Sequence, residues 1–572
     1  MVKVDNATDR EERRGSQEDP ELNSASRDSK PGEGTFVKGV FILGIGMLAA
    51  RMMGALYRIP LARMIEAEGM GLYQLAYPIY TAVLIISTGG IPIAISKLIS
   101  EHLSLGRGEA ARDTFRVALT MLAVVGLVFT LGLALSAKLV ASLFGDTRAH
   151  LALLAISPAI FLVSLMSAFR GYFQGRQNMT PSAVSQVIEQ FVRITTILAL
   201  VVILIPQGPS FAAAGATFGA VAGSGAGLLY LYLVYRRHPA DELVLEAAQG
   251  EAAATRLAAQ EGDVPEPRSR WDHVGRILIL ALPISFGAAA VPFMNFIDAA
   301  IVLNRLRAAG YAVEAATSLY GQFTGMAMTL INFPTMLAVS LTIGLVPAIS
   351  EAVAVKEWGR VQSRTNLGLR LVMILSLPAA AGLWLLATPI TTMLFDDPQA
   401  GVPLAVASVV TISIAVYFVT TGILQGLGRT GLPVRNILLG GVMKVITTYT
   451  LTGMPNFGIR GAALGTVVGF TVGALLNLVD TLRLTRTTVD WRGIAGKPLV
   501  ATAGMGIVVF SLDQYAPLSL TPRTLLAIFV GVAVYGALLF ATRGITIRDL
   551  MMVPGSRKAL RFLRIPLPGD DK

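Results

Sequence analysis

The side chains of this sequence that can do chemistry are few, and they are charges set where charge is costly. Arg51, Arg58, Glu189, Arg193, Asp298 and Lys444 each fall within a long apolar run. An ionised group there costs about 2.5–3.5 kcal/mol on insertion scales, so each needs a partner or a water-filled cavity. Arg51 stands about 20 Å beyond Lys38 at about 1.5 Å per helical residue, too deep to snorkel easily, and is expected to face a cavity. Arg58, on nearly the same helical face, either extends that cationic stripe or snorkels to the nearer interface. Glu189 and Arg193 have the i, i+4 spacing of an ion pair on one face, either a structural bridge or part of a cavity wall. Lys444 follows Pro433 at nearly the interval by which Arg193 follows Pro181, and has no acidic residue beside it in sequence. Asp298, with Asn295 one turn earlier, is a candidate gating or ion-coupling group, with Arg51 or else Arg305 or Arg307 as its partner. Lys97 and Arg170 read as anchors at helix ends. Arg51, Arg193 and Lys444 against Glu189 and Asp298 make the expected cavity net cationic.

The elements that must position these charges are transmembrane helices. The chain has 572 residues, 53% hydrophobic and only 15% charged, too little charge to cover a soluble protein of this size. Apolar stretches of about 20 residues begin near Phe36, Leu72, Thr114, Leu151, Ala183 and Phe211. They resume near Val274, Ser318, Leu367, Val402, Leu432, Gly461, Pro498 and Leu525. The expected fold is an all-α membrane protein of about 14 transmembrane helices, in two pseudo-symmetric parallel-repeat lobes around a central cavity. The expected divisions are a disordered tail over 1–34, a first lobe over 35–236, a linker over 237–272, a second lobe over 273–483, two further helices over 484–545 and a basic tail over 546–572.

Cations gather in alternate loops: Arg107 and Arg112, Arg176, Arg236 and Arg237, Lys356 and Arg360, Arg429, and Arg483 to Lys497. The intervening loops are poor in them, so the positive-inside rule places both termini and the linker in the cytoplasm. The net charge of +11 is therefore a matter of topology, and no nucleic-acid partner is expected. The absence of cysteine removes thiolate chemistry. His102, His150, His238 and His273 fall in or beside loops, so no metal site is expected, and no cofactor.

Two halves repeat one plan. Gly90-Ile91-Pro92-Ile93-Ala94-Ile95-Ser96 recurs as Gly344-Leu345-Val346-Pro347-Ala348-Ile349-Ser350. Tyr172-Phe173-Gln174-Gly175 recurs as Ile423-Leu424-Gln425-Gly426. Ladders Gly215, Gly219, Gly223, Gly227 and Gly461, Gly465, Gly469, Gly473 follow in matching order, the small-residue spacing by which helices approach in lipid. The offset is roughly 250 residues and encloses an even number of helices, so the copies are parallel.

Arg51-Met52-Met53-Gly54, Tyr57-Arg58-Ile59-Pro60-Leu61-Ala62-Arg63, Glu68-Gly69-Met70-Gly71-Leu72-Tyr73-Gln74, Gly90-Ile91-Pro92, Phe169-Arg170-Gly171-Tyr172-Phe173-Gln174-Gly175 and Gln186-Val187-Ile188-Glu189-Gln190 resemble the polysaccharide-transport branch of the multidrug/oligosaccharidyl-lipid/polysaccharide exporter superfamily. The branch includes the stage V sporulation protein B group and relatives of the lipid II flippase. The resemblance runs over about residues 36–545. It implies a monomeric flippase of the bacterial cytoplasmic membrane that moves an undecaprenyl-pyrophosphate-linked saccharide, such as lipid II or a related envelope precursor, outward by alternating access. It implies substrate handling for Arg51 and Arg58. A cationic cavity suits a diphosphate, because Arg pairs with phosphate oxygens in forked geometry. A drug antiporter calls for an acidic cavity, a membrane polymerase for a large catalytic outer loop, and a scaffold for no buried charge. Protons, sodium or the membrane potential alone can supply coupling, and no Gly-x-x-x-x-Gly-Lys-Ser/Thr nucleotide site occurs.

Overall fold

The computed structural model describes residues 43–44, 46–47, 49–50, 52–237 and 269–544. Arg51, both terminal tails and nearly all of the linker lie outside the described residues. Those described form helices and turns, with no strand.

The first half opens with a helix under way at Met52 that leads into α1 (Arg58–Thr88), whose backbone breaks at Glu66 (φ 56°, ψ −174°). The hydroxyls of Tyr57 and Tyr73 lie 2.8 Å apart, although a continuous helix would separate these residues by about 24 Å. The chain therefore folds back at Glu66. α2 (Ile91–Ser104) follows a second break, where Gly90 takes the left-handed φ of 69° that glycine adopts without penalty. α3 (Gly108–Leu143), the short α4 (His150–Ile156), α5 (Pro158–Gly175), α6 (Thr180–Leu204) and α7 (Pro209–Arg237) complete this half.

The second half repeats the order. α8 (Arg270–Ala308) starts on a capping box between Ser269 and Asp272. α9 (Val313–Gly321) passes through a π-helical segment, Gln322–Ala327, into α10 (Met328–Ala354). Then come α11 (Trp358–Leu385), the short α12 (Ala387–Phe395) and α13 (Gly401–Ala407), and α14 (Val410–Gly426), α15 (Gly431–Thr452) and α16 (Ile459–Thr485). α17 (Lys497–Tyr515) and α18 (Leu520–Ala541) end the described chain.

Among the described residues, ten helices are long and apolar enough to cross a membrane, or eleven if the bent pair α13–α14 counts as one span. The expected count of fourteen is not reached by that measure. One reason is the run Met52–Ser104, which counts once although it folds back at Glu66. Leu135, Ile279, Ile507 and Phe529 stand exposed on the outer face, as lipid-facing side chains do and as a soluble protein's rarely would. The protein is a multi-pass membrane protein.

Both glycine ladders work as close-packing seams. A β-carbon at Gly223 would meet the Cβ of Arg193 at 2.8 Å, and one at Gly469 the Cβ of Lys444 at 2.6 Å. These are the third rungs of their ladders, so Arg193 and Lys444 occupy equivalent places in the two halves. Likewise a β-carbon on Gly175 would meet Ile99, and one on Gly426 would meet Ile349. Replacing Gly219 or Gly465 by leucine forces apart α6–α7 or α15–α16, because a branched side chain has no room at either seam. Thermal unfolding in detergent should fall for both variants; unchanged midpoints would show that the seams open at no cost.

The halves meet at one end. Among the described residues, apart from α8, the extensive cross-half packing is made by α1. Gly71 lies against the Thr317 backbone, Gly321 against Ala67 and Gly71, and Gln74 donates to the Thr324 carbonyl at 2.8 Å. Asp146, in the α3–α4 connection, accepts from Thr317 at 2.8 Å and pairs with Arg148 at 2.7 Å, while Arg148 also binds Glu68. Burial alone would raise the Asp146 carboxyl, but hydrogen bonds from Arg148 and Thr317 hold it below the usual carboxylate range. The tie is thus intact at neutral pH and is lost only as pH falls through that lowered value. Asn304 to the Leu143 carbonyl (2.8 Å) and Arg307 to the Gly145 carbonyl (3.1 Å) close the same end. At the opposite end α8 bridges the halves, through Ser285 to the Gly89 carbonyl and His273 to Thr114 at 3.0 Å.

Candidate functional site

Between the halves lies a cavity in two joined compartments, of 540 Å³ and 380 Å³, which share Arg58, Tyr77, Asn332, Thr335 and Phe418. The first is walled by the helix preceding α1 and by α1, α5, α6, α10 and α14, and presents Arg58, Arg170, Glu189 and Arg193. The second is walled by α1, α8, α9, α10, α14, α15 and α16 and presents Asn295, Asp298, Tyr320 and Lys444. Around both, four cations (Arg58, Arg170, Arg193, Lys444) face two carboxylates (Glu189, Asp298).

Pairing within this set differs from what sequence spacing suggests. Glu189 binds Arg193 at 2.6 Å, as the i, i+4 spacing implies, and also Arg170 at 2.9 Å. Arg170 is therefore a cavity residue and not a helix-end anchor. It sits in α5 short of the terminus, and its guanidinium reaches Ser185 and Glu189 of α6. Lys97 is exposed, as an anchor is.

Lys444 has no acidic residue beside it in sequence, but Asp298 of α8 forms an ion pair with it, and both side chains are largely buried. Asp298 accordingly does not bridge to Arg305 or Arg307. Arg305 stacks 4.2 Å over the Tyr449 ring and bonds the Tyr449 carbonyl, and Arg307 bonds Gly145. A contact of Asp298 with Arg51 lies outside the described residues. Four positions before Lys444, where the first half has Glu189, the second half has Gly440 packed on Gly469. The missing carboxylate is supplied from α8 instead.

Arg58 resolves between its two alternatives in favour of the cavity, since it lines both compartments. It lies 5.9 Å from the Tyr77 ring, and its Nε is buried with no hydrogen-bond partner among the described residues. Tyr77, Gln74, Tyr320 and Asn332 are lining residues that the sequence did not single out; Gln74 alone stood in a quoted motif. Four positively charged side chains in a partly dehydrated cavity, one with no carboxylate partner among the described residues, can hold a multiply charged anion.

A separate cavity of 730 Å³ runs between α10, α11, α17 and α18, lined by Phe333, Ile374, Leu383, Met505, Val509 and Val532 among others, nearly all apolar. It adjoins the cavity wall through α10, whose Asn332 and Thr335 face the charged compartments.

Known proteins share this plan. Residues 36–353 match the model of the family described as polysaccharide biosynthesis protein, and residues 283–450 match the MatE model. The chain is 30% identical over 523 residues to stage V sporulation protein B of Bacillus subtilis (strain 168), covering 91% of this chain and 98% of that one. It is 28% identical to that organism's lipid II flippase MurJ over 460 residues, 77% and 82% of the respective chains. Among solved structures, lipid II flippase MurJ in an inward closed conformation superposes with a TM-score of 0.65 at 15% identity, over 88% of this chain and 99% of that one. An inward-facing multidrug resistance MATE family transporter superposes at 0.61 and 14% identity, over 78% and 98%. The two-lobe transporter fold is thereby shared. The chain belongs to the polysaccharide biosynthesis protein family, within the multidrug/oligosaccharidyl-lipid/polysaccharide exporter superfamily.

Proposed function

We propose that the protein is a flippase for a lipid-linked saccharide carrying a diphosphate, moved from the inner to the outer leaflet of the bacterial cytoplasmic membrane. The observation that carries this reading is the cationic cavity between the halves, with Arg58, Arg170, Arg193 and Lys444 on its walls. The diphosphate sits among these cations, and the apolar cavity beside α17 and α18 takes part of the polyprenyl tail. Its relatives named as a lipid II flippase and a sporulation protein support a cell-envelope precursor as cargo. The basic loops lie in the cytoplasm, so the sealed Asp146 end faces outward and the conformation is closed to the outside. An interior-negative potential assists the outward movement by about 2.3 kcal/mol per 100 mV for each net negative charge carried.

The test is complementation of a strain depleted of its lipid II flippase, paired with a leaflet assay of lipid II. Restored growth with lipid II reaching the outer leaflet is expected. Export of cationic drugs without lipid movement would replace this reading with a drug antiporter. Orientation is checked separately in the cysteine-free background. Cysteines at the exposed positions Gln207 and Gln399 should react with an impermeant thiol reagent added outside, and one at the exposed Ser104 should not. Outside labelling at Ser104 would invert the topology.

A further inference from the structure

Lys444 is a cavity cation that is already engaged. Its ammonium is paired with Asp298, the two groups come from different helices, and both line the 380 Å³ compartment. The first half handles the equivalent cation differently. Glu189 holds two guanidiniums, so if one turns toward an anion the carboxylate keeps the other. Asp298 has no such reserve. The remaining charged or titratable groups that share its compartment are Arg58 and Tyr77 from α1, Tyr320 from α9 and Tyr417 from α14. Arg58 is committed to no carboxylate but lies on the shared wall between compartments. No second carboxylate lines the compartment among the described residues, and no cluster of metal-ligating side chains occurs among them. A site for a dehydrated metal cation needs several oxygen ligands at once. A proton needs only the carboxylate.

We propose that Lys444 exchanges Asp298 for the substrate's diphosphate, and that Asp298 takes up one proton as it does so. The inference rests on the proposed function. With the cavity empty, the carboxylate and the ammonium neutralise one another. When phosphate oxygens draw the ammonium away, the carboxylate is left charged in a largely dehydrated wall, a state that burial disfavours strongly. A proton from cavity water binds an Asp298 oxygen and removes the charge, while Lys444 keeps its own three protons. One proton therefore enters with each diphosphate. Release of the diphosphate re-forms the ion pair and expels the proton. Occupancy of the site is in this way reported to α8, the helix that bridges the halves at the end opposite the seal.

The experiment is calorimetric titration of the purified full-length protein in detergent with a short-chain prenyl-diphosphate sugar. The probe is a diphosphate diester, in which each phosphorus has a single, strongly acidic oxygen, so it holds no titrating proton near neutrality. Run in two buffers of different ionisation enthalpy, the wild type should take up close to one proton per ligand bound, and affinity should rise about tenfold per unit fall in pH. Asp298→Asn should bind the same probe with no proton uptake and little pH dependence. Binding by the wild type with no proton uptake overturns the exchange and leaves the flippase reading standing. Binding that needs sodium and takes up no proton also overturns it. No binding of the probe at any pH overturns the flippase reading and the exchange together. Should Asp298→Asn fail to fold, the wild-type stoichiometry alone decides.

Discussion

Lys444→Ala should be the most destabilising single change to the cavity. It strips Asp298 of its ammonium in a buried wall, where the carboxylate must either stay charged without a partner or bind a proton. Breaking a buried ion pair by removing one partner costs about 3–5 kcal/mol, because the remaining charge is uncompensated. The double variant Lys444→Ala/Asp298→Ala removes both charges and should recover most of that loss, since a buried pair as a unit contributes little net stability. Thermal unfolding of the purified variants in detergent gives the comparison, and flipping assays on the same samples should find both inactive. A single variant as stable as the wild type at every pH would mean that Asp298 is solvated without Lys444, whereas a loss of stability that vanishes as pH falls would mean that it binds a proton there. A double variant that flips would mean that the second compartment takes no part in transport.

Arg58→Ala should separate stability from transport. Arg58 has no carboxylate within ion-pair distance among the described residues, and its buried Nε is unpartnered. Removing it leaves no carboxylate unpaired among the described residues and relieves a desolvation cost, so folded yield should hold or rise. Transport should collapse, because the diphosphate loses a charge-assisted partner worth about 1.5–3 kcal/mol, a tenfold or greater loss of affinity. Arg58→Lys should restore part of it if two phosphate oxygens are held in a fork, and nearly all if a point charge suffices. Wild-type flipping by Arg58→Ala at equal expression would remove the wall shared by the two compartments from the mechanism.

The sequence made the repeat legible because it is written in local patterns: glycine at every fourth position and short motifs recurring in order. The equivalence of Arg193 and Lys444 followed from proline spacing, and the third ladder rungs bear it out in space. The Glu189–Arg193 pair was legible for the same reason, since four residues on a helix fix a shared face. The Asp298–Lys444 pair was not, because nothing local brings α8 against α15. Arg170 was misread through its closeness in sequence to the basic loop at Arg176. Depth along a helix was visible there, but the direction of the side chain depends on α6 packing beside it. The two apolar stretches on either side of Glu66, beginning near Phe36 and Leu72, were legible because Arg58, Arg63, Glu66 and Glu68 stand between them. That the chain reverses there through a single residue was not, since no glycine, proline or polar loop marks the turn itself.

That reversal at Glu66 also constrains how the protein is made. The helix before it and the helix after it are joined by one exposed residue at φ 56°, with no loop between them. The first crossing cannot settle in lipid and wait for the second, because there is no slack to let the two move independently. They are expected to enter the bilayer together as a helical hairpin with Glu66 at its tip. Since residues 67–74 at the start of the second arm are also what α9 packs against, the second half of the chain has its docking surface in place only once that hairpin is inserted. Glu66→Gly, which removes the left-handed strain of about 1 kcal/mol, should speed this early step in a cell-free insertion assay and leave the assembled transporter unchanged.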